Sequence, residues 1–520
     1  DGSQVPVEVF LTPMRGAESS MILVSIIDIS ERRLNEHRAA TQRDEIAHDG
    51  INRAITYAEW DREADEVGGG LAAAGLKPGD RVFLPISNAH AVEMAIAVFA
   101  VFRAGGIACP INTRLNAKEI ADFAELTTPR WCITDVPEVV ASLNLDGCWT
   151  VNAMPRDLGA LPDQANLDPN ADAEILGTSG TTGKIKGVVV SHPDLMKGVT
   201  GTNMDRSRST LNALPLTGSG GNLGIVMLPA RGGATAITQP KFDPKGFLEL
   251  VKEKQPNLVY LVPSMLRLIL DHPDVKDYDF AGVKYLMTGT APLPHDSVKR
   301  ALELWPHVRM RNSYGMSEGG IGIGTTTQEQ VLKPGCVGKL PEHMQLRDEA
   351  GNIITQPGVV GEIYGYQSHP RRYWNDDEAT RASFIGGWTK TGDLGYVDED
   401  GDLIMAGRSK ELIIRGGYNI TPLEIETVLH LHPAVQQAAV VGIEHEVLGE
   451  DVAAAVTLRP GQSATPDEII AFCRQHLADN KVPRTLLILD EMPLNPNGKI
   501  LKKELVGPLT GAAKARRQAA

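Results

Sequence analysis

The chain has 520 residues, of which 42% are apolar and 22% charged, and its formal net charge is −14. Domains usually contain about 100–200 residues, so this length predicts more than one domain. The acidic balance argues against a nucleic-acid partner, which needs a basic surface, and the longest uncharged apolar run, 94–102, is far shorter than the ~20 residues of a membrane span. Five scattered cysteines without a C-x-x-C pair favour a reducing compartment. We therefore expect a cytoplasmic protein. Composition is compatible with a homodimer as well as with a monomer.

The first residues predict two strands, at 5–12 and 21–29, joined by a polar turn. The charged stretch 31–43 that follows has helical character. This pattern resembles the last two strands and the exit helix of a PAS sensor domain. Two interpretations of residues 1–33 stay open, a PAS-like remnant and an N-terminal extension that caps an edge of the main body.

From residue 56 the chain alternates helical and strand-like segments. Residues 56–76 have helical spacing, residues 81–86 form an apolar run typical of a buried strand, and residues 89–103 predict an apolar helix. This alternation continues past residue 300 and favours parallel sheets covered by helices. The stretch 337–405 is rich in strands separated by glycine-bearing turns.

A different pattern begins near residue 408. Its predicted elements are a strand at 412–415, a helix at 422–430, strands at 435–443 and 452–458, and a helix at 466–478. A unit of about 110 residues is large enough to fold as its own domain. The predicted fold class is α/β, with a large N-terminal body of helix-covered sheets at 34–407 and a small α+β C-terminal domain at 408–508. The Ala/Lys/Arg-rich tail, 509–520, is expected to be disordered.

The clearest chemical signal is residues 176–187, LGTSGTTGKIKG, with four glycines and four hydroxyl residues. Glycine lets backbone N–H groups close around oxygens, and hydroxyl and lysine side chains add donors that neutralise a polyphosphate. The spacing is not that of a Walker A loop. Apolar residues on both sides argue against a surface linker. The residues expected to hold the polyphosphate are Thr178, Ser179, Gly180, Thr181, Thr182, Gly183 and Lys186.

This loop resembles the phosphate-binding signature of the adenylate-forming superfamily, which includes acyl-CoA synthetases, peptide-synthetase adenylation domains and beetle luciferases. Ile185 departs from the pattern, because the family usually has proline there; the change should loosen the loop without removing a donor. Further family-like segments follow in order: 289–293 (GTAPL), 312–318 (NSYGMSE), 388–394 (WTKTGDL), 407–410 (GRSK), 415–420 (RGGYNI) and 493–499 (PLNPNGK). The resemblance covers about residues 35–508.

The resemblance implies an ATP-dependent ligase with Lys499, Glu318, Thr178 and Lys186 as catalytic residues. Glu318 would bind Mg²⁺, which prefers hard oxygen ligands, and Asp393 would accept hydrogen bonds from the ribose hydroxyls. The remaining residues implied to contact ATP or AMP are Gly289, Thr290, Ala291, Pro292, Asn312, Ser313, Tyr314, Gly315, Met316, Ser317 and Arg408.

The resemblance also implies that the C-terminal domain is mobile. Lys410 occupies the position of the hinge. The loop that faces the thiol substrate, coenzyme A, would contain Arg415, Gly416, Gly417 and Tyr418.

The segment after Leu214-Pro215-Leu216 bears on the acid substrate. Many acyl-CoA synthetases have an aromatic residue and a histidine there, whereas this chain has TGSGG with Gly218 at the histidine position. Peptide-synthetase adenylation domains have an aspartate early in this region that holds the ammonium of an amino acid. Because no acidic residue occurs here between 212 and 231, the resemblance argues against a 2-amino acid as substrate. Small apolar residues at 319–324 favour a fatty or aromatic acid. The expected lining of this acyl pocket is Thr217, Gly218, Gly320 and Gly322.

The implied reaction forms an acyl-adenylate and pyrophosphate from ATP and a carboxylate, then transfers the acyl group to coenzyme A. Three alternatives stay open: a carrier protein as acceptor, a luciferase-like oxygenase, and a PAS-linked signalling protein with a non-catalytic ligase body. The absence of a carrier-like segment after residue 508 favours free coenzyme A over the first. Glu318, Asp393 and Lys499 are all present, which argues against the last.

Overall fold

A computed structural model describes residues 7–15, 20–28, 46–50, 52–179, 185–196, 209–222, 226–227, 229–230, 233–319, 322–494 and 499–519. At the N-terminus, β1 (Val7–Arg15) and β2 (Ser20–Asp28) pair antiparallel with Val7 opposite Asp28. The two predicted strands are therefore present with shifted boundaries. The predicted helical stretch 31–43 lies outside the described residues.

The other strands, in chain order, are β3 (Ile46–Asp49), β4 (Ala54–Thr56), β5 (Arg81–Leu84), β6 (Ile107–Pro110), β7 (Trp131–Thr134), β8 (Gly147–Thr150), β9 (Asp172–Ser179), β10 (Ile185–Ser191), β11 (Ser209–Asn212), β12 (Thr235–Thr238), β13 (Leu258–Leu261), β14 (Tyr285–Gly289), β15 (Arg309–Gly315), β16 (Gly322–Gly324), β17 (Cys336–Lys339), β18 (Met344–Arg347), β19 (Ile353–Ile354), β20 (Gly361–Tyr366), β21 (Arg372–Tyr373), β22 (Phe384–Ile385), β23 (Trp388–Val397), β24 (Asp402–Arg408), β25 (Ile413–Arg415), β26 (Tyr418–Ile420), β27 (Val435–His445), β28 (Gly449–Leu458) and β29 (Thr485–Leu489).

The helices are α1 (Tyr57–Ala73), α2 (Ala91–Arg103), α3 (Ala117–Thr127), α4 (Pro137–Val140), α5 (His192–Met196), α6 (Ser219–Gly221), α7 (Pro244–Lys254), α8 (Pro263–Leu270), α9 (His295–Leu304), α10 (Gln328–Leu332), α11 (Asp377–Ser383), α12 (Pro422–Leu431), α13 (Pro466–His476) and α14 (Lys502–Ala519). Within the described ranges, none of them combines the length and apolar character required to cross a bilayer.

The first sheet has the order β21-β10-β9-β6-β5-β7-β8 and is parallel from β9 to β8. Helices α1 and α2 pack on it and on each other through an apolar core that includes Trp60 and Leu71. A reciprocal cap between Thr56 and Glu59 fixes the start of α1. The helices predicted at 56–76 and 89–103 are thus confirmed, with trimmed ends.

The second sheet has the order β16-β15-β14-β13-β11-β12-β3-β4 and is parallel from β15 to β3. Its core contains Phe280 and Trp305, whose rings stack with centroids 3.9 Å apart. The predicted helix-covered parallel sheets are therefore confirmed. Because adjacent parallel strands end at the same edge of a sheet, the segments that follow β14 and β15 lie side by side.

The third sheet is antiparallel, with the order β17-β24-β23-β20-β18-β19 and β22 paired to β23. Gly351, Gly358 and Gly401 have φ of 88°, 77° and 80°, so its turns use the left-handed backbone that glycine adopts without strain. This confirms the strand-rich stretch predicted at 337–405.

The fourth sheet belongs to the C-terminal region, with the order β26-β25-β28-β27 and β29 parallel to β28. Helices α12 and α13 supply part of one apolar cluster on this sheet, and α14 supplies part of another through Leu505, Leu509 and Ala513. The prediction that residues 509–520 are disordered is wrong for 509–519, which are helical. Composition suggested disorder, but apolar residues recur every fourth position, and this spacing buries one face of the helix.

Candidate active site

The described residues of the phosphate-binding loop predicted at 176–187 belong to β9 and β10, which pair antiparallel as the two arms of a hairpin. Thr178 lies opposite Lys186, and Gly177 opposite Gly187. A Cβ atom on Gly187 would lie 2.7 Å from the Ile175 side chain, which explains the glycine there. Predicted site residues that lie outside the described residues are Gly180, Thr181, Thr182 and Gly183, together with the side chain of Ser179.

The hydroxyl of Thr178 is buried and, among the described residues, has no hydrogen-bond partner. Leaving such a group unpaired costs on the order of 1–3 kcal/mol. A ligand oxygen or ion at the hairpin would satisfy it.

Two further predicted segments meet at the ends of β14 and β15. Gly289 lies opposite Ser313 in the parallel register, and the Ser313 hydroxyl donates to the Thr288 carbonyl over 2.7 Å. Thr290 follows with φ of 69°, a left-handed conformation that is strained for a β-branched residue. The Asn312 amide donates to the Cys336 carbonyl over 2.8 Å and ties this edge to β17. The first residues of segments 289–292 and 312–318 therefore lie side by side at the ends of these strands.

Asp393 is the meeting point of the second and third sheets. The Tyr314 hydroxyl donates to its Oδ2 and the Arg408 Nε to its Oδ1, each over 2.8 Å. Asp393 is only 5% exposed. The burial of Tyr314, followed by the negative charge of Asp393, raises the pKa of the Tyr314 hydroxyl. Each carboxylate oxygen keeps a second lone pair, so the group can still accept bonds from a ligand.

Glu318 is held by residues that the sequence analysis did not identify. Its Oε1 accepts a hydrogen bond from the Tyr373 hydroxyl at 3.3 Å, and its backbone carbonyl accepts one from the Gln367 amide at 3.3 Å. The Lys186 ammonium lies 4.4 Å from the centre of the Tyr373 ring. The structure thus brings Lys186 and Glu318 together through one tyrosine.

Lys499 lies within electrostatic range of Arg408, Asp393 and Glu318, which come from three separate motifs of the sequence. Partial loss of water around Lys499, a residue that remains exposed at the surface, and then the Arg408 charge lower the pKa of its ammonium, while Asp393 and Glu318 act in the opposite direction. The charges of three predicted nucleotide residues therefore act on the C-terminal lysine.

The other C-terminal candidates lie on the first elements after β24. Lys410 is in a 3-10 turn, Ser409–Glu411, whose Ser409 hydroxyl donates to the Gly392 carbonyl over 3.1 Å. Gly416 and Gly417 form the turn between β25 and β26 with φ of 56° and 85°. Tyr418 is 63% exposed beside them. Arg415 is ion-paired to Asp451 at 2.7 Å, so its charge is already compensated within this region.

The predicted acyl-pocket residues fall into different surroundings. A Cβ atom added to Gly218 or Gly322 would have no heavy atom of the described residues within 4 Å, so both face space that the described part of the chain leaves open. The Ser219 and Ser317 hydroxyls are hydrogen-bonded at 2.8 Å, which places 217–221 against 312–318. Thr217 is buried and lines a separate cavity of about 30 Å³ with Asn88 and Arg114. Gly320 lies outside the described residues.

Comparison with known families matches residues 35–369 to the AMP-binding enzyme family and residues 424–499 to the AMP-binding enzyme C-terminal domain. The chain therefore belongs to the AMP-binding enzyme family. The predicted superfamily is confirmed.

Similar proteins share this organisation over nearly their whole length. Feruloyl-CoA synthase from Amycolatopsis sp is 32% identical over 492 residues, 92% of this chain and 97% of that protein. The fatty acid–[acyl-carrier-protein] ligase ScoC from Streptomyces coeruleorubidus is 29% identical over 482 residues, 87% of this chain and 91% of that protein. The crystal structure of ATP-bound MatB from Rhodopseudomonas palustris superposes with a TM-score of 0.81 at 26% identity, covering 90% of this chain and 96% of that chain.

These comparisons confirm the predicted fold class and the prediction of an AMP-forming acid–thiol ligase. ATP, a carboxylic acid and coenzyme A are the substrates that this class implies.

Proposed function

We propose that the chain converts an apolar carboxylic acid to its acyl-adenylate with ATP and Mg²⁺, then transfers the acyl group to coenzyme A in the cytoplasm. An aromatic acid is the first candidate, because a feruloyl-CoA synthase is among the relatives and Gly218 and Gly322 leave open space beside the Ser219–Ser317 contact. A fatty acid is the second. The observation that carries the proposal is the convergence of Tyr314 and Arg408 on Asp393, with Lys499 in electrostatic range.

In the proposed site Asp393 accepts hydrogen bonds from the ribose hydroxyls. Tyr314 and Arg408 fix the orientation of its carboxylate, because each donates a hydrogen bond to a different oxygen. Each oxygen keeps a second lone pair that can accept a hydrogen bond from the ribose. Segments 289–292 and 312–317 then lie against the adenine, since they form the edge from which Tyr314 reaches Asp393.

Lys499 would contact the substrate carboxylate and the α-phosphate, where negative charge develops as the acid attacks phosphorus. Positioned cations of this kind stabilise the transition state more than the ground state. Lys186 and residues 178–183 of the hairpin would hold the departing pyrophosphate. The enzyme's residues thus orient two anions and neutralise them.

The residues present fit a magnesium ion. Glu318 offers a carboxylate oxygen, and the Thr178 hydroxyl, which has no partner among the described residues, is a second oxygen available at the hairpin. When bound, the ion would neutralise phosphate charge. Glu318 is the residue proposed to hold it.

In this scheme the mobile domain that starts at 408 takes one orientation relative to the N-terminal domain, 34–407, for adenylation and a second one for transfer to coenzyme A. We place the pivot between these orientations at Lys410. In the second orientation the exposed hairpin of Gly416, Gly417 and Tyr418, with Arg415 at its base, would face coenzyme A.

Residues 1–33 have no role in this scheme and are proposed to be a PAS-like remnant or an N-terminal extension. A homodimer is a separate prediction, which sedimentation would measure.

An acid-dependent ATP–pyrophosphate exchange assay with a panel of aromatic and fatty acids tests the proposal, followed by mass spectrometry of the product formed with coenzyme A. We expect exchange with at least one aromatic acid and a coenzyme A thioester. Exchange followed by transfer only to a phosphopantetheinylated carrier protein would favour the carrier-loading alternative. No exchange with any acid would favour the non-catalytic alternative.

A further inference from the structure

Two residues at a short strand, Arg371 just before it and Tyr373 within it, contact the segment that ends in Glu318. Strand β21 spans only Arg372–Tyr373 and pairs antiparallel with β10, the second arm of the phosphate hairpin. Arg371 immediately precedes it. None of the sequence motifs includes this region.

Arg371 is buried at 6% exposure and joins two parts of the site. Its Nε is ion-paired to Asp194 of α5, itself only 4% exposed, and its NH1 donates to the Ser317 carbonyl. A buried guanidinium persists only when its charge is paired and its donors are used. Arg371 therefore fixes the backbone one residue before Glu318 relative to the helix that follows the hairpin.

Tyr373 acts on side chains. It is 7% exposed, its hydroxyl donates to Glu318 Oε1 at 3.3 Å, and its ring lies 4.4 Å from the Lys186 ammonium. A cation over an aromatic face is stabilised by the ring quadrupole. One side chain thus limits the positions of both a carboxylate and a cation.

The register of β21 ties these contacts to the hairpin. Val188 lies opposite Tyr373, and the Trp374 N–H donates to the Gly187 carbonyl over 2.7 Å. Gly187 is the residue next to Lys186. Movement of the hairpin and movement of Tyr373 are therefore coupled by backbone hydrogen bonds.

We propose that Arg371 and Tyr373 are positioning residues, which set the distance between the Glu318 carboxylate and the Lys186 ammonium. The inference rests on the proposed function, in which Glu318 holds Mg²⁺ and Lys186 holds phosphate. Neither positioning residue needs to touch the nucleotide. Loss of the tyrosine hydroxyl would free the carboxylate to adopt other rotamers and so weaken the metal-dependent part of ATP binding.

Tyr373→Phe tests this, because it removes the hydroxyl and keeps the ring under Lys186. The control is Tyr366→Phe on β20, where the side chain is 48% exposed. Calorimetric ATP binding is measured with excess EDTA and with Mg²⁺, alongside the Mg²⁺ concentration that gives half-maximal exchange. We expect the factor by which Mg²⁺ raises ATP affinity to be about tenfold smaller in Tyr373→Phe than in wild type, which is the effect of losing one hydrogen bond to a charged group. Binding in EDTA should stay within about twofold of wild type.

A double-mutant cycle with Glu318→Gln shows whether the tyrosine acts through the glutamate. We expect the Tyr373→Phe/Glu318→Gln enzyme to be no worse than Glu318→Gln alone, since neighbours that act as a unit are non-additive. Arg371→Lys, which keeps the charge beside Asp194 but lacks the guanidinium fork, should give a smaller shift in the same direction.

Additive losses in the cycle, or a Tyr373→Phe enzyme that matches the Tyr366→Phe control, would overturn the inference while wild-type exchange upholds the proposed function. An equal loss of ATP binding in EDTA would also overturn it, because that result indicates general damage to the site. A wild-type enzyme without exchange would overturn the proposed function itself, and this inference with it.

Discussion

Tyr314 and Asp393 are joined by a 2.8 Å hydrogen bond that connects the end of a parallel strand, β15, to the middle of an antiparallel strand, β23. The two residues are 79 positions apart, and their contact fixes the second sheet against the third at the proposed nucleotide site. Arg408 binds the other oxygen of the same carboxylate. The geometry of this one carboxylate therefore depends on three segments of the chain.

Asp393→Asn should weaken recognition of the ribose. The amide can accept fewer hydrogen bonds than a carboxylate and no longer pairs with the Arg408 charge. We expect wild type to prefer ATP over 2′,3′-dideoxy-ATP by about tenfold or more, and the Asp393→Asn enzyme to lose most of that preference, as expected for hydrogen bonds to a charged group. Calorimetric titration with both nucleotides measures it. Retention of the full preference, as in the exposed-site control Asp377→Asn, would contradict the ribose role.

As pH rises, the adenylation rate should begin to fall at a lower pH than it would if Lys499 had the pKa of an ordinary lysine. Partial loss of surrounding water and the Arg408 charge lower the pKa of Lys499, and only the protonated form can neutralise the developing charge. The positive charge is therefore lost as pH rises through this lowered pKa, below the usual value of ~10.4. The same shift means that the folded chain holds this proton less tightly than the unfolded chain does.

Lys499→Arg separates this titration from others. Arginine stays protonated throughout the accessible range, so the alkaline fall in kcat/KM for ATP should move upward or disappear, even if the maximal rate is lower. The measurement is the exchange rate from about pH 6 to about pH 10, a range that runs from neutral pH up toward the usual lysine value. Identical alkaline limbs in wild type and Lys499→Arg would assign the fall to another group.

Gly218→Phe should change which acids are accepted. Its Cβ would enter open space and its φ is not left-handed, so the substitution fits without backbone strain. If this space receives the acid, we expect KM for a bulky aromatic acid to rise at least about tenfold while a two- or three-carbon acid is little affected, since lost apolar contacts cost about 1–3 kcal/mol. Gly507→Phe, at an exposed position of α14, is the control. Equal effects on large and small acids would place the pocket elsewhere.

Lys410→Pro should separate the two half-reactions. Hinges absorb motion in the φ and ψ of a few residues, and proline fixes φ near about −65° while restraining Ser409. We expect acyl-AMP to form in single-turnover experiments and its consumption after addition of coenzyme A to stall. Lys410→Ala, which leaves φ free, distinguishes loss of the side chain from the restraint. Equal loss in both steps, or none in either, would contradict a pivot at this residue.

The parts of the site that the sequence revealed are those defined by local order of residue types. Three parts of the site each lie within a short motif: the hairpin at Thr178 and Lys186, the turn at Gly289, and Asp393. Glycines occur in the first two because a Cβ atom there would come too close to neighbouring atoms. Alternating apolar runs likewise predicted α1, α2 and the parallel sheets.

The contacts that the sequence did not reveal depend on register between distant strands. Arg371 and Tyr373 acquire their partners only because β21 pairs with β10 and faces the segment before β16. The C-terminal tail was misjudged for a related reason. Its composition is typical of disorder, whereas the four-residue spacing of Leu505, Leu509 and Ala513 becomes decisive once a sheet is available to bury it.

The most direct test of the account is acid-dependent pyrophosphate exchange by Lys499→Ala, measured beside its ATP affinity and its ability to convert supplied acyl-AMP and coenzyme A to the thioester. We expect exchange to fall by about 10²–10³, the usual contribution of one positioned donor to a developing anion, with ATP affinity and the second step comparatively intact. Near-normal exchange in Lys499→Ala would contradict the central claim that this lysine serves the adenylation step.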